Sequence, residues 1–307
     1  MTRGAPGPFH AGEVAAQRRA GTHAVAQRMA GMVRDAMPPQ HQDFFAQLPF
    51  VVLAARDGGG QPWATLRCGA PGFVRACDAR TLAIAAPAVP HEPIAPADLA
   101  PGAQAGLLGI ELPTRRRNRA NGRVLASGAG RLVLGVEQSF GNCPKYIAAR
   151  LPVPRPAPAG DAPPDDMHGG LDEPARALVR GADTFFIASA APHGVDASHR
   201  GGAPGFARVE EAGRLLVVPD YAGNGLFNTL GNLLVDPRAG LLFIDFAGGG
   251  LLYVAAQAEI GWEAGAQRQL RLRVARARRV PGGWPFTSGP AQPSPFLARN
   301  TPPIECP

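Results

Sequence analysis

The chain has 307 residues, of which 45% are hydrophobic, a composition sufficient for one large or two modest domains with buried cores. Its net charge of +7 comes almost entirely from arginine, because Lys145 is the only lysine. No apolar run approaches the roughly 18 residues of a membrane-spanning helix, and the first residues lack the apolar core of a secretion signal, so we expect a cytoplasmic protein.

An N-terminal helical segment is predicted over residues 1–35. The Ala-rich run from Ala11 to Val33 has the composition of one or two helices, with a break near Gly21. His10 and Glu13 stand at the start of this run. Either Glu13 lies in a solvated first turn, where a carboxylate complements the helix dipole, or the two residues cap a cofactor site.

A β-rich unit is predicted over residues 36–150. A short helix over Gln40–Gln47 follows two prolines and leads into it. Asp57–Gly60 has the composition of a hairpin turn, and Pro87–Pro101 has that of a loop. Apolar and alternating runs predict strands at Val51–Ala55, Trp63–Cys68, Phe73–Arg75, Thr81–Ala85, Gln104–Glu111 and Val124–Val136.

The densest charge cluster is Thr114–Arg123, TRRRNRANGR. Arg119, Asn121 and Arg123 alternate, so they would share one face of a strand. Arg115–Arg117 are predicted to be solvated. Arg119 and Arg123 either belong to the same solvated basic turn or contact a phosphate. No aromatic residue for base stacking lies nearby, so nucleic acid is not the expected partner.

The segment Gln138–Ile147 interrupts the strand pattern. Asn142 is predicted to cap a short helix that has Pro144 near its first turn. Lys145 follows, and it is either an ordinary surface residue or a ligand contact.

A linker is predicted over residues 151–170, which are rich in Pro, Gly and Asp. A short helix over Leu171–Arg180 then opens a second β-rich unit, residues 171–280. A Pro-rich tail, residues 281–307, follows this unit.

The second unit contains a pattern that is typical of anion binding. Thr184–Ile187 is predicted to be a buried strand, and the chain then returns through Ser198, Arg200, Gly201 and Gly202. Arginine supplies a planar fork of donors, serine supplies one more, and glycine lets backbone N–H groups approach a phosphate.

Asn224 lies in a Gly-Asn-Gly turn that precedes a helix predicted over Leu226–Leu234. It either caps that helix or leaves the free N–H groups of the first turn to an anion. Further strands are predicted at Arg214–Val218, Gly240–Phe246, Leu251–Ile260 and Gln269–Arg278.

The two units repeat one another. Phe50–Phe73 aligns with Asp183–Phe206 without a gap, which places Thr65 on Ser198 and Arg67 on Arg200. The segments AGLLGIEL and AGLLFIDF match further on at nearly the same separation. Two copies are too few for a solenoid, so we interpret them as a duplicated domain.

The four cysteines are scattered and form no CxxC pair, so neither a zinc site nor an iron–sulfur site is expected. Without a secretory context we expect free thiols. The four residues are Cys68, Cys77, Cys143 and Cys306.

Together, the segments DTFFIAS, SHRGGAPGF, PDYAGN and LLFIDF resemble the pyridoxamine 5′-phosphate oxidase-like flavoproteins. The similarity is greater to a bacterial subgroup with an FH-x-GE segment (Phe9–Glu13) and an NCPKY segment (Asn142–Tyr146), and it covers residues 9–280. The resemblance implies a mainly β fold with peripheral helices, in which two tandem split β-barrels pack as an internal pseudo-dimer. The chain is then a monomer with an internal pseudo-dimer, or a homodimer.

The resemblance also implies FMN, held by its phosphate at the interface of two barrels. Ser198, Arg200 and Gly201 would meet the phosphate, and Asn224 would lie near the flavin. The first copy keeps the Thr and Arg of the motif but lacks the Gly-Asn turn, so the resemblance does not extend to a second, equivalent site. The full set of residues expected at the cofactor is Ser198, Arg200, Gly201, Gly202, Asn224, Lys145, Arg119, Arg123, Thr65 and Arg67.

The expected function is that of an FMN-dependent oxidoreductase, whose small-molecule substrate or electron donor the sequence does not identify. No nucleophilic triad or acid/base pair is visible, so no catalytic residue is assigned. The C-terminal Trp- and Arg-containing signature of true pyridoxamine phosphate oxidases is not found, which argues against vitamin B6 as substrate. Two alternatives stay open, a flavin carrier or sensor without turnover and a nucleic-acid-binding protein that uses Arg115–Arg119.

Overall fold

The computed structural model describes residues 7–156, 162–262 and 268–297. The fold is mainly β with peripheral helices, as the sequence predicts, and it is built on two antiparallel sheets. The first sheet, called the first barrel, consists of β1 (Phe50–Arg56), β2 (Pro62–Cys68), β3 (Val74–Asp78), β4 (Thr81–Ala85), β5 (Gln104–Glu111), β6 (Arg116–Gly128) and β7 (Arg131–Gly141).

The second sheet, called the second barrel, follows two short strands, β8 (Val153–Pro154) and β9 (Asp165–His168). A last short strand, β17 (Phe286–Thr287), comes after it and pairs with β8. The second barrel consists of β10 (Thr184–Ala191), β11 (Gly194–Gly201), β12 (Arg208–Glu210), β13 (Leu215–Pro219), β14 (Arg238–Ile244), β15 (Leu251–Gly261) and β16 (Gln269–Val280).

The two sheets have the same topology. The strand order is β2-β1-β5-β6-β7-β4-β3 in the first and β11-β10-β14-β15-β16-β13-β12 in the second, so that β1 corresponds to β10, β2 to β11 and β6 to β15. The repeat seen in the sequence is therefore a repeat of the whole sheet.

The barrels pack on each other through the β1, β2 and β5 edge of the first and the β10, β11 and β14 edge of the second. Every residue of β10 is buried, and only Arg56 of β1 is not. One face of each strand covers its own core while the other face covers the opposite barrel, which is why these runs are apolar throughout instead of alternating. The apolar cluster of the first barrel accordingly includes Phe186 and Tyr253 of the second.

Two glycines at this interface occupy corresponding positions. A Cβ on Gly106 of β5 would collide with the carbonyl oxygen of Val195, and one on Gly240 of β14 would collide with that of Pro62. Gly106 matches Gly240 in the repeat, and Pro62 matches Val195. The close approach of the two backbones therefore occurs twice, once on each side of the interface.

Helices cover the periphery. Helix α1 packs against α5 of the second barrel and thereby joins the N-terminal segment to that barrel. No helix of the described residues is both long and apolar enough to span a membrane. The helices are α1 (Ala11–Arg19), α2 (His23–Met29), α3 (Pro39–Ala46), α4 (Glu173–Gly181) and α5 (Asn228–Val235).

Three local predictions are wrong. The run predicted as one strand over Val124–Val136 is a hairpin, because Ala129 and Gly130 both adopt positive φ angles, of 47° and 73°, and turn the chain. Asn142 caps no helix, since its side chain donates to the carbonyl of Gly141 and no helix follows. Helix α5 begins at Asn228 rather than at the predicted Leu226.

The predicted linker and tail both contain structure that composition did not reveal. Within residues 151–170, β9 pairs with β16 and extends the second sheet. In the tail, Trp284 is fully buried and packs against Phe50 and Phe246, with ring centroids 4.9 and 5.6 Å away. Residues 157–161 of the linker and 298–307 of the tail lie outside the described residues.

Candidate cofactor site

A cleft lies between the two barrels, where β11 of the second barrel meets β6 of the first. Its volume is about 200 Å³. The loops that follow β7 and β13 form its walls. Asp220 is the one carboxylate among its described lining residues. The basic side chains among them are Arg117, Arg119, Lys145, Arg200 and Arg268. This excess of positive charge suits an anionic ligand.

Ser198 is held in the cleft by side chains from both barrels. Arg119 of β6 donates to its hydroxyl oxygen at 2.7 Å, and the Thr229 hydroxyl of α5 donates to it at 2.8 Å. Both lone pairs of the serine oxygen are therefore engaged, which leaves its own O–H to donate to a ligand. The Nε of Arg119 is buried and has no partner within the part of the chain that the structure describes.

Arg200 lies two residues further along β11, on the same face of the strand. It donates to Asp220 at 2.6 Å, and Arg268 donates to the other oxygen of that carboxylate at 3.1 Å. The pairing uses one terminal nitrogen of Arg200, while its buried Nε has no partner among the described residues. A ligand phosphate can therefore bind to the guanidinium without displacing Asp220.

Arg117 and His199 form a second polar pair in the cleft, and neither was predicted from the sequence to contact the cofactor. Arg117 donates to the carbonyl of Cys143 at 2.9 Å and lies 3.2 Å from Nδ1 of His199. Burial lowers the pKa of Arg117 to about 9, helped by the nearby charge of Arg119. Burial and the Arg117 charge also hold the pKa of His199 well below its usual value. The imidazole is therefore neutral, with Nδ1 as acceptor and Nε2–H as a donor that is unpaired among the described residues.

Two aromatic residues in the walls of the cleft have left-handed backbones. Tyr146 has a φ of 66° and Phe227 a φ of 62°, which are uncommon for bulky side chains. The ring of Tyr146 lies against that of Tyr221 with centroids 5.0 Å apart, and its hydroxyl donates to the carbonyl of Ala222 at 3.1 Å. Such conformations concentrate at binding sites, where the surrounding structure holds them in place.

The remaining predicted residues of the second barrel divide between the cleft and the core. Gly201 and Asn224 line the cleft. Asn224 does not cap α5, because its side chain accepts from the N–H of Leu226 and Phe227 is the N-cap residue. Gly202 lies outside the lining, and a Cβ there would overlap the ring of Phe206. Its role in this structure is to let Phe206 pack.

Lys145 lines the cleft, whereas Arg123 does not. The Lys145 ammonium lies 5.6 Å from the centre of the Phe296 ring. Arg123 pairs with Glu137 at 3.2 Å on the surface, and it donates to the carbonyl of Gly102. The alternation expected for Arg119 and Arg123 along β6 is kept, because the register shift beside Asn121 adds Glu137 to β7 and no residue to β6. Only Arg119 of the two lines the cleft, whereas Arg123 pairs with Glu137.

In the first barrel, the residues that correspond to Ser198 and Arg200 are engaged by a carboxylate of the chain itself. Thr65 donates to Glu92 at 2.6 Å, and Arg67 donates to both oxygens of Glu92 at 2.6 and 2.8 Å. Tyr253 of the opposite barrel lies 3.3 Å from Thr65, which is the counterpart of the Arg119–Ser198 contact. Burial raises the pKa of Tyr253, so its hydroxyl stays protonated. The first copy thus binds its own acid where the second copy has an open cleft.

His10 and Glu13 lie away from the cleft, beside a second cavity. They form a capping box at the start of α1, in which the N–H of His10 donates to Glu13 at 2.9 Å. Glu13 is only 4% exposed, so the interpretation as a solvated first turn is wrong.

The arginines of the Thr114–Arg123 cluster are distributed among several partners. Arg115 donates to the carbonyl of Ile147, Arg116 lies over the ring of Phe44, and Arg119 is buried. Arg117, predicted to be solvated, points into the cleft.

No group of three or more His, Cys, Asp or Glu side chains in the described ranges is arranged to hold a metal ion. Cys68, Cys77 and Cys143 are free thiols, and Cys306 lies outside the described residues. Burial raises the pKa of Cys68 to about 12, so it is not a nucleophile at neutral pH.

No protein-family model matches the chain, and no curated protein matches it significantly. Among solved structures, HupZ of Group A Streptococcus is 15% identical, with a TM-score of 0.27, over 34% of this chain and 94% of its own. A candidate pyridoxamine 5′-phosphate oxidase from Corynebacterium glutamicum is 14% identical, with a TM-score of 0.28, over 40% and 98%. HutZ, a heme storage protein from Vibrio cholerae, is 15% identical, with a TM-score of 0.27, over 39% and 98%. Identities and TM-scores this low carry no functional inference.

Proposed function

We propose that the cleft binds FMN through its phosphate and that the protein is an FMN-dependent oxidoreductase of the pyridoxamine 5′-phosphate oxidase-like type. The observation that carries this proposal is the contact of Arg119 with Ser198 across the two barrels, at 2.7 Å, in a cleft with several further cations. A phosphate is the ligand class that such convergent, charge-assisted donors suit best.

The donors that lack partners support the fit of a phosphate. The Nε atoms of Arg119 and Arg200 and the Nε2–H of His199 are buried and unpaired among the described residues, and all three side chains line the cleft. Buried donors of this kind cost stability unless something accepts from them. Together with the O–H of Ser198 they form a set that a group with several acceptor oxygens can satisfy.

The aromatic walls support a planar ring system beyond the phosphate. Tyr146 and Tyr221 lie against each other in one wall. Phe227 is a second aromatic residue of the cleft, and the guanidinium of Arg268 packs 5.1 Å from the centre of the Phe227 ring. When bound, FMN would supply redox chemistry that none of these side chains can perform. The protein would bind the phosphate, orient the ring and hold positive charge close to it through Arg117 and Lys145.

The duplicated motif supports one site rather than two. In the second barrel Ser198 and Arg200 keep donors available, whereas in the first barrel Glu92 already accepts from both Thr65 and Arg67. We therefore propose one FMN for each chain.

The test is the visible absorbance spectrum of the purified protein, with the mass of the chromophore that is released on denaturation. Flavin bands and the mass of FMN would support the proposal. A colourless protein that takes up no added FMN would overturn it.

A flavin carrier without turnover is the second candidate, because the contacts of the cleft residues account for binding a phosphate but not for a chemical step. Bleaching of the flavin bands by NADH or NADPH under anaerobic conditions, followed by reoxidation, would favour an enzyme. A spectrum that stays unchanged with both donors would favour a carrier.

A further inference from the structure

A second cavity is lined by Asp196, whose partner Arg119 lines the cleft. Its volume is about 440 Å³, which is within the range of small-molecule sites. The start of α1, the β6–β7 pair, the β10–β11 hairpin and α5 contribute its walls. The cofactor proposed above does not involve this cavity.

The charged groups on the walls of this cavity are acidic. Glu13, Glu137 and Asp196 line it, and no lysine or arginine is among its described lining residues. Two of these acids are paired with arginines that do not line the cavity, with Arg119 3.1 Å from Asp196 and Arg123 3.2 Å from Glu137. Glu13 contributes an uncharged carboxyl at neutral pH, because burial raises its pKa to about 8.

Asn121 gives independent evidence of a ligand. Its side chain is 7% exposed and lines the cavity. The amide nitrogen donates to Asp196 at 2.7 Å, but the amide oxygen is buried and has no partner within the described residues. A buried acceptor needs a donor, and Asp196, which accepts from the amide nitrogen of Asn121, cannot supply one.

Two imidazole rings form a further wall. The rings of His10 and His193 lie 5.7 Å apart between centroids. His10 accepts the N–H of Gly12 at Nδ1 and faces the Asn232 side-chain oxygen through Nε2 at 2.9 Å, so it is the neutral Nε2–H tautomer. The neutral ring face of His10 beside carboxylates suits a planar, weakly hydrated cation.

We propose that this cavity binds a small organic cation, whose guanidinium or ammonium group donates to the Asn121 side-chain oxygen and to the carboxylates of Asp196 and Glu137. The described residues contain no group of three or more His, Cys, Asp or Glu side chains that could hold a metal ion, and the cavity is large enough for a small molecule. An organic ligand therefore fits this site better than a metal ion.

The test compares n-butylguanidinium with n-butylurea, which has nearly the same shape but no charge. Binding is measured by titration calorimetry on the full chain at about 0.15 M ionic strength, which screens general surface attraction. We expect saturable binding of the cation with one site for each chain, and binding of the urea weaker by about tenfold or more. Equal binding of the two probes, or no saturable binding of the cation, would overturn the proposal.

Glu137→Gln is the variant of choice, because the side chain is half exposed and its loss should not unfold the protein. Glu210→Gln is the matched control, since Glu210 also pairs with an exposed arginine, Arg208, at 3.3 Å, but lies far from the cavity on β12. We expect Glu137→Gln to weaken butylguanidinium about threefold or more and Glu210→Gln to leave it unchanged. Equal affinities of the two variants would contradict the assignment. Neither Glu137 nor Glu210 lines the cleft. The effect of these variants on butylguanidinium binding can therefore be distinguished from any failure of the chain to bind FMN.

Discussion

Arg67 holds the carboxylate of Glu92 with both terminal nitrogens, at 2.6 and 2.8 Å, at the position that corresponds to the proposed phosphate contact of Arg200. Both side chains are nearly inaccessible, with 4% and 5% of their surfaces exposed. The duplicated motif therefore has different binding partners in its two copies. One copy binds an internal acid, and the other presents donors to a cleft.

The pairing of Arg67 with Glu92 predicts that Glu92→Ala destabilises the protein by about 3–5 kcal/mol, because it leaves a buried arginine without a counter-charge. Inorganic phosphate should restore part of this loss, since it can occupy the vacated position. The measurement is urea unfolding of both proteins with and without phosphate. Asp166→Ala is the control, because Asp166 forms an exposed pair with Arg278 and should change stability little. If phosphate stabilises Glu92→Ala no more than the wild type, the vacated position does not bind anions.

Arg200→Ala should weaken FMN about tenfold or more, since charge-assisted hydrogen bonds contribute about 1.5–3 kcal/mol each. The measurement is a fluorescence titration with FMN. Arg273→Ala is the matched control, because Arg273 pairs with Glu211 on the exposed surface and should bind FMN like the wild type. If Arg200→Ala binds FMN normally, the phosphate lies elsewhere in the molecule.

The sequence predicts the duplicated fold well, because Phe50–Phe73 and Asp183–Phe206 align residue for residue. These two segments contain the buried strands β1 and β2 of the first barrel and β10 and β11 of the second. It also points to Ser198 and Arg200, which stand close together in one motif. It does not predict that Glu92 pairs with Arg67. Glu92 stands in a Pro-rich loop, where an acidic residue is ordinarily solvated, and only the folded loop brings it to β2.

Other parts of the two sites were missed for the same physical reason. Arg117 stands in a charge run and is therefore predicted to be solvated, yet strand alternation places it on the same face of β6 as Arg119, and both line the cleft. Arg268 and Thr229 come from elements that are distant in sequence and carry no motif. The second cavity combines the N-terminal segment with β6 and the β10–β11 hairpin, and only tertiary packing brings these together.

The paired glycines of the interface predict matched effects of substitution. Gly106→Ala and Gly240→Ala should each destabilise the protein by about 1–3 kcal/mol, because each new methyl group meets a backbone carbonyl that cannot move aside easily. Gly31→Ala is the control, since nothing lies within 4 Å of its Cβ position. Thermal unfolding of the three variants provides the comparison. A neutral Gly106→Ala or Gly240→Ala would show that the two barrels are not packed this closely.

The buried Glu13 predicts a specific pH dependence of stability. Burial raises its pKa from the ordinary 4.5 to about 8, with the charge of Asp196 acting in the same direction. The folded state therefore holds a proton that the unfolded state has lost between these two values. Stability from this group is fully present below pH 4.5, falls as the pH rises toward 8 and is constant above it.

Glu13→Gln should remove this dependence, because the amide keeps the shape of the neutral acid. The free energy of unfolding of the wild type minus that of the variant should decrease by up to about 1.4 kcal/mol for each pH unit between the two pKa values. His10, whose pKa is lowered by burial, acts in the opposite direction at acidic pH, but it is present in both proteins and cancels in the difference. Urea unfolding at a series of pH values gives this difference directly. A difference that does not change with pH would mean that Glu13 is ionised in the folded protein and that its carboxylate is stabilised by contacts stronger than those to His10 and Asn228.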